Sequence, residues 1–511
     1  MSSTYAQLLR DHASQRPHAP ALTFEGRTLS FAELDASSSR AAQALRRDGV
    51  RAGDRVALLT RNCAEFFELV FACGKLGAIV VGLNWRLAAV EIEAIVADAR
   101  PGVAIVGPAE RALLTPAAVA RGEVRRVLCI GPEYDGWRDA APADDPGHAG
   151  AADEVAMLLY TSGTTGLPKG VMLTNGNLSH TRRLGETWGM GPSSVNLVAM
   201  PMFHIGGSGY GMSTLAMGGH TVLVREVIPA QLVELIVRHR VTHAFFVPAV
   251  VQMLLQVPGV EQADWSSMEL LMYGASPIGD ALLRQALKVM RCRFIQAYGM
   301  TETAGTVVDL FPEDHDPDGA KAPLLRSIGQ ALPWVELRIV EPSTGQDVPE
   351  GQVGEIWVRS AMVMKGYWNN EAATREAIQP GGWLRTGDAA YMDAQGYIFL
   401  FDRYKDMLIS GGENVYPAEV ENALGDHPAV MEVAVIGVPH ERWGETPKAI
   451  VVLRPGMQAS AQELIAFART RLAGYKCPTS VEFTQTLPRN ASGKLLKREL
   501  RRIHLTEAAR G

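Results

Sequence analysis

A loop rich in Gly, Ser and Thr around one lysine carries the strongest chemical signal in this chain. Residues 160–171 read YTSGTTGLPKGV, so small hydroxyl residues and glycines surround Lys169. The run before it, residues 156–160, is apolar and strand-like. A loop of this kind that leaves a buried strand offers backbone N–H groups, hydroxyls and an ammonium to an anion, usually phosphate. It is not a Walker A motif, because Pro168 precedes the lysine and Gly170 follows it. A flexible surface loop is the alternative interpretation.

Two further motifs suit nucleotide chemistry. Residues 298–302 read YGMTE, in which the Tyr298 ring could stack on a base and the Glu302 carboxylate could hold Mg²⁺ on phosphate. Residues 383–388 read WLRTGD, in which Asp388 follows a predicted glycine turn and could accept both ribose hydroxyls. Taken alone, a solvated surface turn explains each of these two motifs better.

Three polar segments have a chemical and a plain interpretation. Residues 402–406 read DRYKD and precede Ser410-Gly411-Gly412, which favours an interdomain linker with or without a hinge. Residues 488–494 read PRNASGK, and Lys494 is either delivered into an active site or a solvated lysine. Residues 201–207 read PMFHIGG, and His204 is either a general base or a packed turn histidine.

Composition and charge fit an ordinary globular protein of several domains. The 511 residues exceed what one hydrophobic core organises, so two to four domains are expected. The net charge of −6 gives no basic excess, which argues against a nucleic-acid partner. The five cysteines form no C-x-x-C pair and are predicted to be reduced thiols: Cys63, Cys73, Cys129, Cys292 and Cys477.

The sequence predicts a cytoplasmic protein without a membrane span. The first residues carry early charges and no apolar core, so no signal peptide is expected. The longest apolar tract, residues 66–83, is interrupted by Lys75 and by glycines, which favours a buried helix and strand.

The order of helical and strand-like segments predicts an α/β fold. Helical patterns over 31–47, 64–76 and 91–99 alternate with strand patterns over 55–60, 79–83 and 103–106, as in a parallel sheet covered by helices. The alternation resumes after a polar loop at 140–153. From Gly329 onward, short β segments separated by turns predict a β-rich subdomain, and the last hundred residues predict a compact α+β unit.

Together, and in this order, the motifs resemble those of the acyl-CoA synthetase branch of the adenylate-forming superfamily, over essentially the whole chain. The resemblance implies that Mg-ATP adenylates a carboxylic acid and releases pyrophosphate. The thiol of coenzyme A then attacks the acyl-adenylate and releases AMP, so no catalytic Cys or Ser is needed. The motifs that carry the resemblance are YTSGTTGLPKG, PMFH, YGMTE, GEIWVRS, WLRTGD, DRYKDMLISGGENVYPAEVE and PRNASGK.

The resemblance also implies two domains and a set of nucleotide contacts. Residues 1–403 would form the N-terminal adenylate-forming domain of parallel-sheet α/β subdomains plus the β-rich subdomain. Residues 404–511 would form the small mobile α+β C-terminal domain, which carries the catalytic lysine. The implied ATP and AMP contacts are Thr161, Ser162, Gly163, Thr164, Thr165, Gly166, Lys169, Gly274, Ala275, Ser276, Gln296, Ala297, Tyr298, Gly299, Thr301, Asp388, Arg403 and Lys494.

Within this set, the resemblance assigns individual roles. The loop from Thr161 to Lys169 would hold the β- and γ-phosphates, and Thr301 the α-phosphate. Thr161 and Glu302 would be the magnesium ligands. Asp388 and Arg403 would contact the ribose, and residues 274–276 and 296–299 the adenine. The implied catalytic residues are Lys494, Glu302, His204 and Thr301.

The implied acyl pocket is mostly apolar. No acidic residue follows Phe203, where amino-acid-activating relatives place an Asp for the substrate ammonium, and an unpaired ammonium would be costly here. A free carboxylic acid with an apolar tail is therefore favoured, with a medium- or long-chain fatty acid first and a benzoate- or cinnamate-type aryl acid second. The implied pocket residues are His204, Gly207, Phe246, Tyr273, Met300, Thr303 and Gly305.

The resemblance places Lys405 at the hinge of the mobile domain. An acyl-AMP ligase that loads a carrier protein is the alternative enzyme, although it would not need the CoA-facing residues. A homologue without catalysis is disfavoured, because Lys169, Glu302 and Lys494 are all present. The choice between monomer and homodimer and a weak peripheral membrane contact stay open. The implied coenzyme A contacts are Gly411, Gly412, Trp443, Tyr475 and Lys476.

Overall fold

The computed structural model describes most of the chain as two compact units. The described residues are 4–161, 168–276, 278–403, 408–410, 413–415, 417–440, 443–489 and 495–508, without the side chains of 401–403, 409, 413, 414, 444 and 505–508. The first unit comprises Met1–Ala275, Ala286–Pro312 and Arg359–Gly382, and the second Ser276–Gln285, Glu313–Val358 and Trp383–Gly511. The division into domains after residue 403 stays a prediction.

The strands are numbered in chain order. They are β1 (Pro20–Phe24), β2 (Arg27–Ser30), β3 (Arg55–Leu59), β4 (Ile79–Leu83), β5 (Val103–Val106), β6 (Arg126–Cys129), β7 (Val155–Thr161), β8 (Lys169–Thr174), β9 (Val195–Val198), β10 (His220–Leu223), β11 (His243–Phe246), β12 (Leu270–Gly274), β13 (Arg293–Met300), β14 (Gly305–Leu310), β15 (Gln330–Ala331), β16 (Glu336–Val340), β17 (Gly354–Arg359), β18 (Gly366–Tyr367), β19 (Ile378–Gln379), β20 (Trp383–Met392), β21 (Ile398–Arg403), β22 (Leu408–Ser410), β23 (Glu413–Val415), β24 (Val430–His440), β25 (Gly444–Leu453) and β26 (Ser480–Phe483).

The α-helices are numbered in the same way, and short 3₁₀ turns connect several elements. The helices are α1 (Tyr5–Gln15), α2 (Phe31–Arg47), α3 (Ala64–Leu76), α4 (Ala89–Ala99), α5 (Pro116–Arg121), α6 (Pro132–Asp139), α7 (Asn175–Ser179), α8 (Thr181–Thr187), α9 (Ile205–Ala216), α10 (Pro229–His239), α11 (Pro248–Leu255), α12 (Asp280–Met290), α13 (Glu371–Ala377), α14 (Pro417–Gly425), α15 (Ala461–Arg469) and α16 (Lys497–Ala508). The 3₁₀ turns are Arg111–Leu113, Val260–Gln262, Thr301–Thr303, Pro312–Asp314, Ala322–Arg326 and Gly474–Lys476.

Two largely parallel sheets build the first unit, which confirms the predicted α/β class. One sheet has the order β18-β8-β7-β4-β3-β5-β6, and its strands β6, β5, β3, β4 and β7 are parallel. The other runs from β14 through β13, β12, β11, β9, β10 and β1 to β2, with parallel pairing from β13 to β1. In such sheets the carboxyl ends of the parallel strands form one edge, where ligands commonly bind.

Local sequence explains why the predicted segments fold as they do. Helix α2 begins at Ser30, whose hydroxyl accepts from the Glu33 N–H while the Glu33 carboxylate accepts from the Ser30 N–H. This capping box satisfies two N–H groups that a helix start leaves unpaired. Strand β4 is buried along its whole length and is apolar apart from Gly82, as expected of a central parallel strand. Helices α2 and α3 and strands β4 and β5 have the predicted bounds.

One local prediction was wrong. Residues 383–388 lie inside strand β20 and not in a turn, because Gly387 adopts a left-handed φ of 73° without interrupting the strand. His204 directly follows a turn and is the N-cap residue of helix α9, which begins at Ile205. Glycines are unfavourable in a helix, so tertiary packing and not intrinsic propensity must stabilise α9.

The second unit contains a β-rich sheet and an α+β sheet. Strands β17, β20 and β21 pair antiparallel, and β16 extends the sheet beside β17. The long hairpin of β24 and β25 carries β22, β23 and β26. Helices α14 and α15 pack on one face of this hairpin, and Leu500 of α16 packs on the other. Both predicted classes of subdomain are therefore present.

Two predictions from composition can be compared with the structure. All five cysteines are free thiols, as expected. Across the part of the chain that the structure describes, we find no helix whose length and apolar character would let it cross a bilayer.

Candidate functional site

The hairpin of β7 and β8 fixes both ends of the predicted phosphate loop. Its antiparallel register pairs Thr161, the last residue of β7, with Lys169, the first residue of β8. A Cβ atom on Gly170 would lie 2.9 Å from Cζ of Tyr160, so only glycine leaves room for that ring. The hairpin therefore holds a hydroxyl and an ammonium side by side. Predicted contacts Ser162, Gly163, Thr164, Thr165 and Gly166 lie outside the described residues.

Glu302 lies beside this hairpin. It belongs to the 3₁₀ turn that follows β13, and it is only 6% exposed. Its Oε1 accepts hydrogen bonds from Oγ1 of Thr161 at 3.4 Å and from Oη of Tyr367 at 3.0 Å. Its backbone carbonyl accepts from the Met364 N–H at 2.8 Å. Two separate chain segments, one ending in Thr161 and one carrying Tyr367, therefore donate to the carboxylate that was predicted to hold magnesium.

Tyr367 links this carboxylate to Lys169, and the sequence analysis missed it. The Nζ atom of Lys169 lies 5.0 Å from the centroid of the Tyr367 ring, within the range of a cation–π contact. Strand β18 pairs with β8, which sets Tyr367 opposite Val171. No local pattern around residues 364–368 signals this role, because the role depends on a pairing between distant segments.

The charges at this site lack ionic partners. Within the described ranges, no ion pair involves Glu302 or Lys169, and neither residue has further partners there. A buried carboxylate without a cation is costly, so the arrangement fits a divalent cation at Glu302 and an anion at Lys169. No cluster of three or more His, Cys, Asp or Glu side chains suited to a metal occurs in the described part of the chain. A magnesium ion held by one carboxylate and substrate phosphates needs no such cluster.

The predicted adenine contacts occupy the carboxyl ends of β12 and β13. A Cβ atom on Gly274 would lie 2.1 Å from the Ala297 carbonyl oxygen, so the close approach of these strands requires glycine. Gly299 faces the Gly305 carbonyl oxygen in the same way, at 2.0 Å. Ala275 adopts a left-handed φ of 63°, a strained conformation that tends to occur at functional sites.

The remaining residues of this group are placed as follows. Ala297 is buried, Tyr298 and Thr301 are half-buried, and Gly299 is exposed. Gln296 is buried and accepts a hydrogen bond at 3.5 Å from the hydroxyl of Tyr273. Ser276 belongs to the second unit.

Thr303 closes the turn that presents Glu302. Its hydroxyl donates to the Gly305 carbonyl at 2.6 Å and accepts from the Met300 N–H at 3.0 Å. The side chain is fully buried, so it orders the turn. Met300 is half-buried at the end of β13, and Gly305, with a φ of 120°, begins β14.

The predicted acyl-pocket residues fall on two faces of the sheet. Phe246 pairs with Tyr273 in register, and both side chains are fully buried. Successive strand side chains alternate between faces, so Phe245 points the other way from Phe246. There it packs under α9, since a Cβ atom on Gly206 would lie 3.1 Å from Cε1 of Phe245.

The α9 side of the sheet carries aromatic residues that the sequence analysis did not select. The Tyr210 ring lies 5.6 Å from the Phe245 ring. Gly207 is packed against backbone, because its Cβ would lie 2.2 Å from the Pro201 carbonyl oxygen. Hydrophobic periodicity predicts burial of such residues but not the face of the sheet that they occupy.

His204 is a neutral imidazole at neutral pH. Burial, followed by the positive charge of Arg86, lowers its pKa to about 4. Its ring lies 4.5 Å from that of Phe203, and its Nε2 is buried without a hydrogen-bond partner in the described structure. A base with so low a pKa is a weak proton acceptor at pH 7. The geometry suits a neutral side chain that lines the acyl pocket or makes a hydrogen bond to the substrate, better than a general base.

The predicted ribose contacts lie opposite each other in the second unit. Asp388 on β20 pairs with Arg403 on β21, so their Cα atoms are cross-strand neighbours. The Asp388 N–H donates to Oγ1 of Thr386 at 3.1 Å, and that hydroxyl donates to the Ile356 carbonyl at 2.8 Å. These bonds fix the backbone that carries the carboxylate.

The predicted coenzyme A contacts include two exposed aromatic rings. Trp443 and Tyr475 are each 42% exposed, so both rings are open to solvent. Lys476 donates a hydrogen bond to Oε1 of Glu419 at 2.7 Å. Gly411 and Gly412, the hinge residue Lys405 and the catalytic lysine Lys494 lie outside the described residues.

Comparison with known proteins identifies the family. The model of the AMP-binding enzymes matches residues 9–368, and that of the AMP-binding enzyme C-terminal domain matches residues 419–494. A feruloyl-CoA synthase of an Amycolatopsis species is 42% identical over 96% of this chain and 97% of its own length. The fatty acid–[acyl-carrier-protein] ligase ScoC of Streptomyces coeruleorubidus is 38% identical over 99% and 98%.

The fold is shared with a solved enzyme of the same kind. The o-succinylbenzoate CoA synthetase of Bacillus subtilis, in complex with its acyl-adenylate intermediate, superposes with a TM-score of 0.86. It is 35% identical in sequence, and the match covers 96% of this chain and 97% of that chain. Long family matches, relatives above 30% identity and a shared fold agree, and the chain belongs to the AMP-binding enzymes of the adenylate-forming superfamily.

Proposed function

We propose that the protein is an AMP-forming acid–CoA ligase. In the first step an oxygen of the substrate carboxylate attacks the α-phosphorus of ATP, and the bond to the β-phosphate oxygen breaks with release of pyrophosphate. In the second step the sulfur of coenzyme A attacks the acyl carbon, the thiol proton is lost and AMP leaves. The protein supplies charge and position, and the nucleophiles belong to the substrates.

Thr161 and Tyr367 contact Glu302, and Tyr367 also contacts Lys169; this cluster is the observation that carries this proposal. Lys169 stands at the hairpin end, and its ammonium, which has no anionic partner among the described residues, would bind the β- and γ-phosphates. Glu302 and the Thr161 hydroxyl are oxygen ligands suited to magnesium. Magnesium bound there would neutralise charge on the triphosphate. Fixed groups of this kind stabilise a phosphoryl-transfer transition state without reorganising.

The carboxylic acid that we propose has an apolar tail. The rings of Phe203, Tyr210 and Phe245 lie beside His204 and along α9, and His204 itself is uncharged at pH 7. An ammonium on the substrate would find no carboxylate among these residues. A medium- or long-chain fatty acid is our first candidate, in line with the similarity to the ScoC ligase.

An aryl acid is the second candidate. The paired rings of Phe245 and Tyr210 favour a planar substrate, because offset aromatic stacking adds to the burial of surface. The similarity to feruloyl-CoA synthase points the same way. A cytoplasmic location is proposed for either activity, since the five free thiols suit a reducing compartment.

Coenzyme A is proposed as the acceptor in preference to a carrier protein. The exposed rings of Trp443 and Tyr475 offer a stacking surface for the adenine of coenzyme A. The similarity to the ScoC ligase supports the carrier alternative.

A panel assay tests reaction, acid and acceptor together. Purified protein with ATP and Mg²⁺ receives octanoate, palmitate, benzoate or ferulate, and either coenzyme A or a phosphopantetheinylated acyl carrier protein. Pyrophosphate, AMP and thioester are measured for each pair. AMP and acyl-CoA from one class of acid support the proposal. Thioester on the carrier alone would replace coenzyme A as acceptor, and no pyrophosphate with any acid would refute the ligase.

A further inference from the structure

We infer that Asp98 is a positioning residue for adenylation, because its carboxylate ties together the two chain segments that carry Thr161 and Tyr367. Asp98 lies near the end of helix α4, and neither the sequence motifs nor the reaction assigned it a role. The inference rests on the proposed function, since Asp98 would serve adenylation by holding the phosphate hairpin and Tyr367 in register.

The first contact of the Asp98 carboxylate is with β7, the strand that ends in Thr161. Oη of Tyr160 donates a hydrogen bond to Oδ2 of Asp98 at 2.7 Å. Burial, followed by the hydrogen bond to Asp98, raises the pKa of Tyr160, so the phenol remains a proton donor. Tyr160 also packs against Gly170, which follows Lys169. Asp98 therefore restrains both strands at the base of the phosphate loop.

The second tie runs to the segment that carries Tyr367. Nδ2 of Asn369 lies 3.2 Å from both Oδ1 and the carbonyl oxygen of Asp98, and Nε1 of Trp368 donates to the same carbonyl at 3.2 Å. The Trp368 N–H donates to the Gly170 carbonyl at 2.7 Å. Asn369 adopts a left-handed φ of 50°, which turns the chain so that its amide reaches Asp98. Tyr367, which contacts Glu302, is thus the residue directly before the two that bind Asp98.

Helix stability does not explain an aspartate at this position. Helix α4 ends at Ala99, so the Asp98 carboxylate lies in its last turn, where the helix dipole disfavours negative charge. The helix has no basic residue in that turn. A locally unfavourable residue whose oxygens are used by two other segments is placed for those contacts.

Solvent access makes the role testable without loss of the fold. Asp98, Trp368 and Asn369 line an open cavity of about 480 Å³, together with Arg55 and Arg100. Water can therefore replace the lost partner when the carboxylate is removed. The expected consequence is a looser hairpin and a misplaced Tyr367, with a weaker hold on ATP, while the residues around α9 stay in place.

The experiment compares Asp98→Ala, Asp98→Asn and Tyr160→Phe with Glu93→Gln as matched control. Glu93 lies on the same helix and pairs with Arg121 at 3.0 Å, away from the hairpin. The KM for ATP, the KM for the acid and the rate of pyrophosphate release are measured. Affinity for a non-hydrolysable ATP analogue is measured by calorimetry, and thioester formation is followed from preformed acyl-adenylate.

We expect Asp98→Ala to lower kcat/KM for ATP and analogue affinity at least tenfold, as for other residues that orient metal and phosphate ligands. The KM for the acid and the second step should stay within about twofold of wild type. Tyr160→Phe should act in the same direction, and the Tyr160→Phe/Asp98→Ala double variant should be little worse than Asp98→Ala alone.

Three results would overturn the inference: unchanged ATP parameters in Asp98→Ala, an equal loss for ATP and acid, or additive effects in the double variant. If Asp98→Ala is unstable, Asp98→Asn and Tyr160→Phe give the same comparison. Calorimetry with the ATP analogue separates the two proposals. Wild-type protein that binds the analogue but activates no acid would refute the ligase. The role of Asp98 in nucleotide binding would still be tested by the analogue affinities of its variants.

Discussion

The hydroxyl of Tyr367 donates a 3.0 Å hydrogen bond to Oε1 of Glu302, and the ring of the same tyrosine faces the ammonium of Lys169. One side chain therefore contacts both the group that suits magnesium and the group that suits phosphate. The hydroxyl makes one contact and the ring makes the other, so each can be tested on its own.

Removal of the hydroxyl should weaken the use of magnesium. In Tyr367→Phe the ring remains beside Lys169, but Glu302 loses one of its two hydroxyl partners. We expect about a tenfold lower rate of pyrophosphate formation and a higher Mg²⁺ requirement. Titration of the rate with Mg²⁺ at saturating ATP measures both. Tyr391→Phe, a similar change on β20, is the control, and equal Mg²⁺ curves for wild type and Tyr367→Phe would contradict the role.

Removal of the ammonium should act on the nucleotide itself. Lys169→Met keeps the aliphatic chain on the Tyr367 ring but deletes the charge, so ATP affinity should fall more than tenfold and the acid KM should change little. Lys365→Met is a matched control, because the Lys365 ammonium donates at 3.0 Å to the carbonyl of Asp153, which precedes β7 and so lies at the other end of the hairpin from Lys169. Nucleotide titration by calorimetry measures the ATP affinity. Equal affinities of wild type and Lys169→Met would exclude Lys169 as a phosphate ligand.

The charge of Lys494 should matter in the first step alone. We expect Lys494→Ala to lose adenylation from acid and ATP by two orders of magnitude or more, because in the proposed mechanism its fixed charge stabilises the transferring group. Thioester formation from preformed acyl-adenylate should continue. Separate assays of the two half-reactions measure this, with Lys448→Ala as a lysine control in the same unit. Equal loss in both half-reactions would disprove the assignment.

His204 should make the protein less stable in weak acid. Its pKa is about 4 when folded and about 6.5 when unfolded. Between these values the unfolded state binds the additional proton, so stability falls as pH drops from above 6.5 towards 4. His204→Gln should lose about 2 kcal/mol less between pH 7 and pH 5 than wild type does. Urea unfolding at both pH values measures this, and parallel losses would show that His204 does not titrate in this way.

Asp309 should have the opposite pH dependence. It is fully buried on β14, burial raises its pKa to about 7, and Nε1 of Trp188 donates to its Oδ2 at 3.1 Å. Because the folded pKa exceeds the unfolded one, the stabilising protonated form is present at low pH and lost as pH rises through 7.

Asp309→Asn keeps an acceptor for Trp188 and removes the charge. The variant should therefore gain stability over wild type as pH rises, by about 3 kcal/mol more at pH 8 than at pH 4.5. Denaturant unfolding at the two pH values checks this, and Asp314→Asn, at a buried aspartate paired with Lys321, is the comparison. An Asp309→Asn variant that gains no stability over wild type between these pH values would contradict the argument.

Local sequence patterns predicted much of the fold and part of the site. Helix α2 and strand β4 have the predicted bounds because capping and apolar runs are encoded within a few residues. Thr161, Lys169 and Glu302 were selected by their chemistry, and the structure brings them together. Tyr367 and Asp98 were missed, because their roles arise from the pairing of β18 with β8 and from contacts between segments far apart in sequence.

Some signals were present but ambiguous. Gly387 indicated a turn, yet its left-handed conformation is accommodated within β20. Phe246 and Tyr273 were assigned to the acyl pocket, but the face of the sheet that they occupy follows from strand order, which periodicity does not encode. Sequence reasoning therefore selected chemical groups but not the residues from distant segments that contact them.

Among the described residues, Glu302 and Lys169 have no ionic partner, and this has a cost that extends beyond chemistry. A nucleotide-free protein that keeps such charges is less stable than it could be, as is common at active sites. Its resistance to heat and proteases should therefore rise with nucleotide supply, by mass action on the folded state. When ATP is scarce, more of the protein would be in the nucleotide-free form, which unfolds and is degraded more readily.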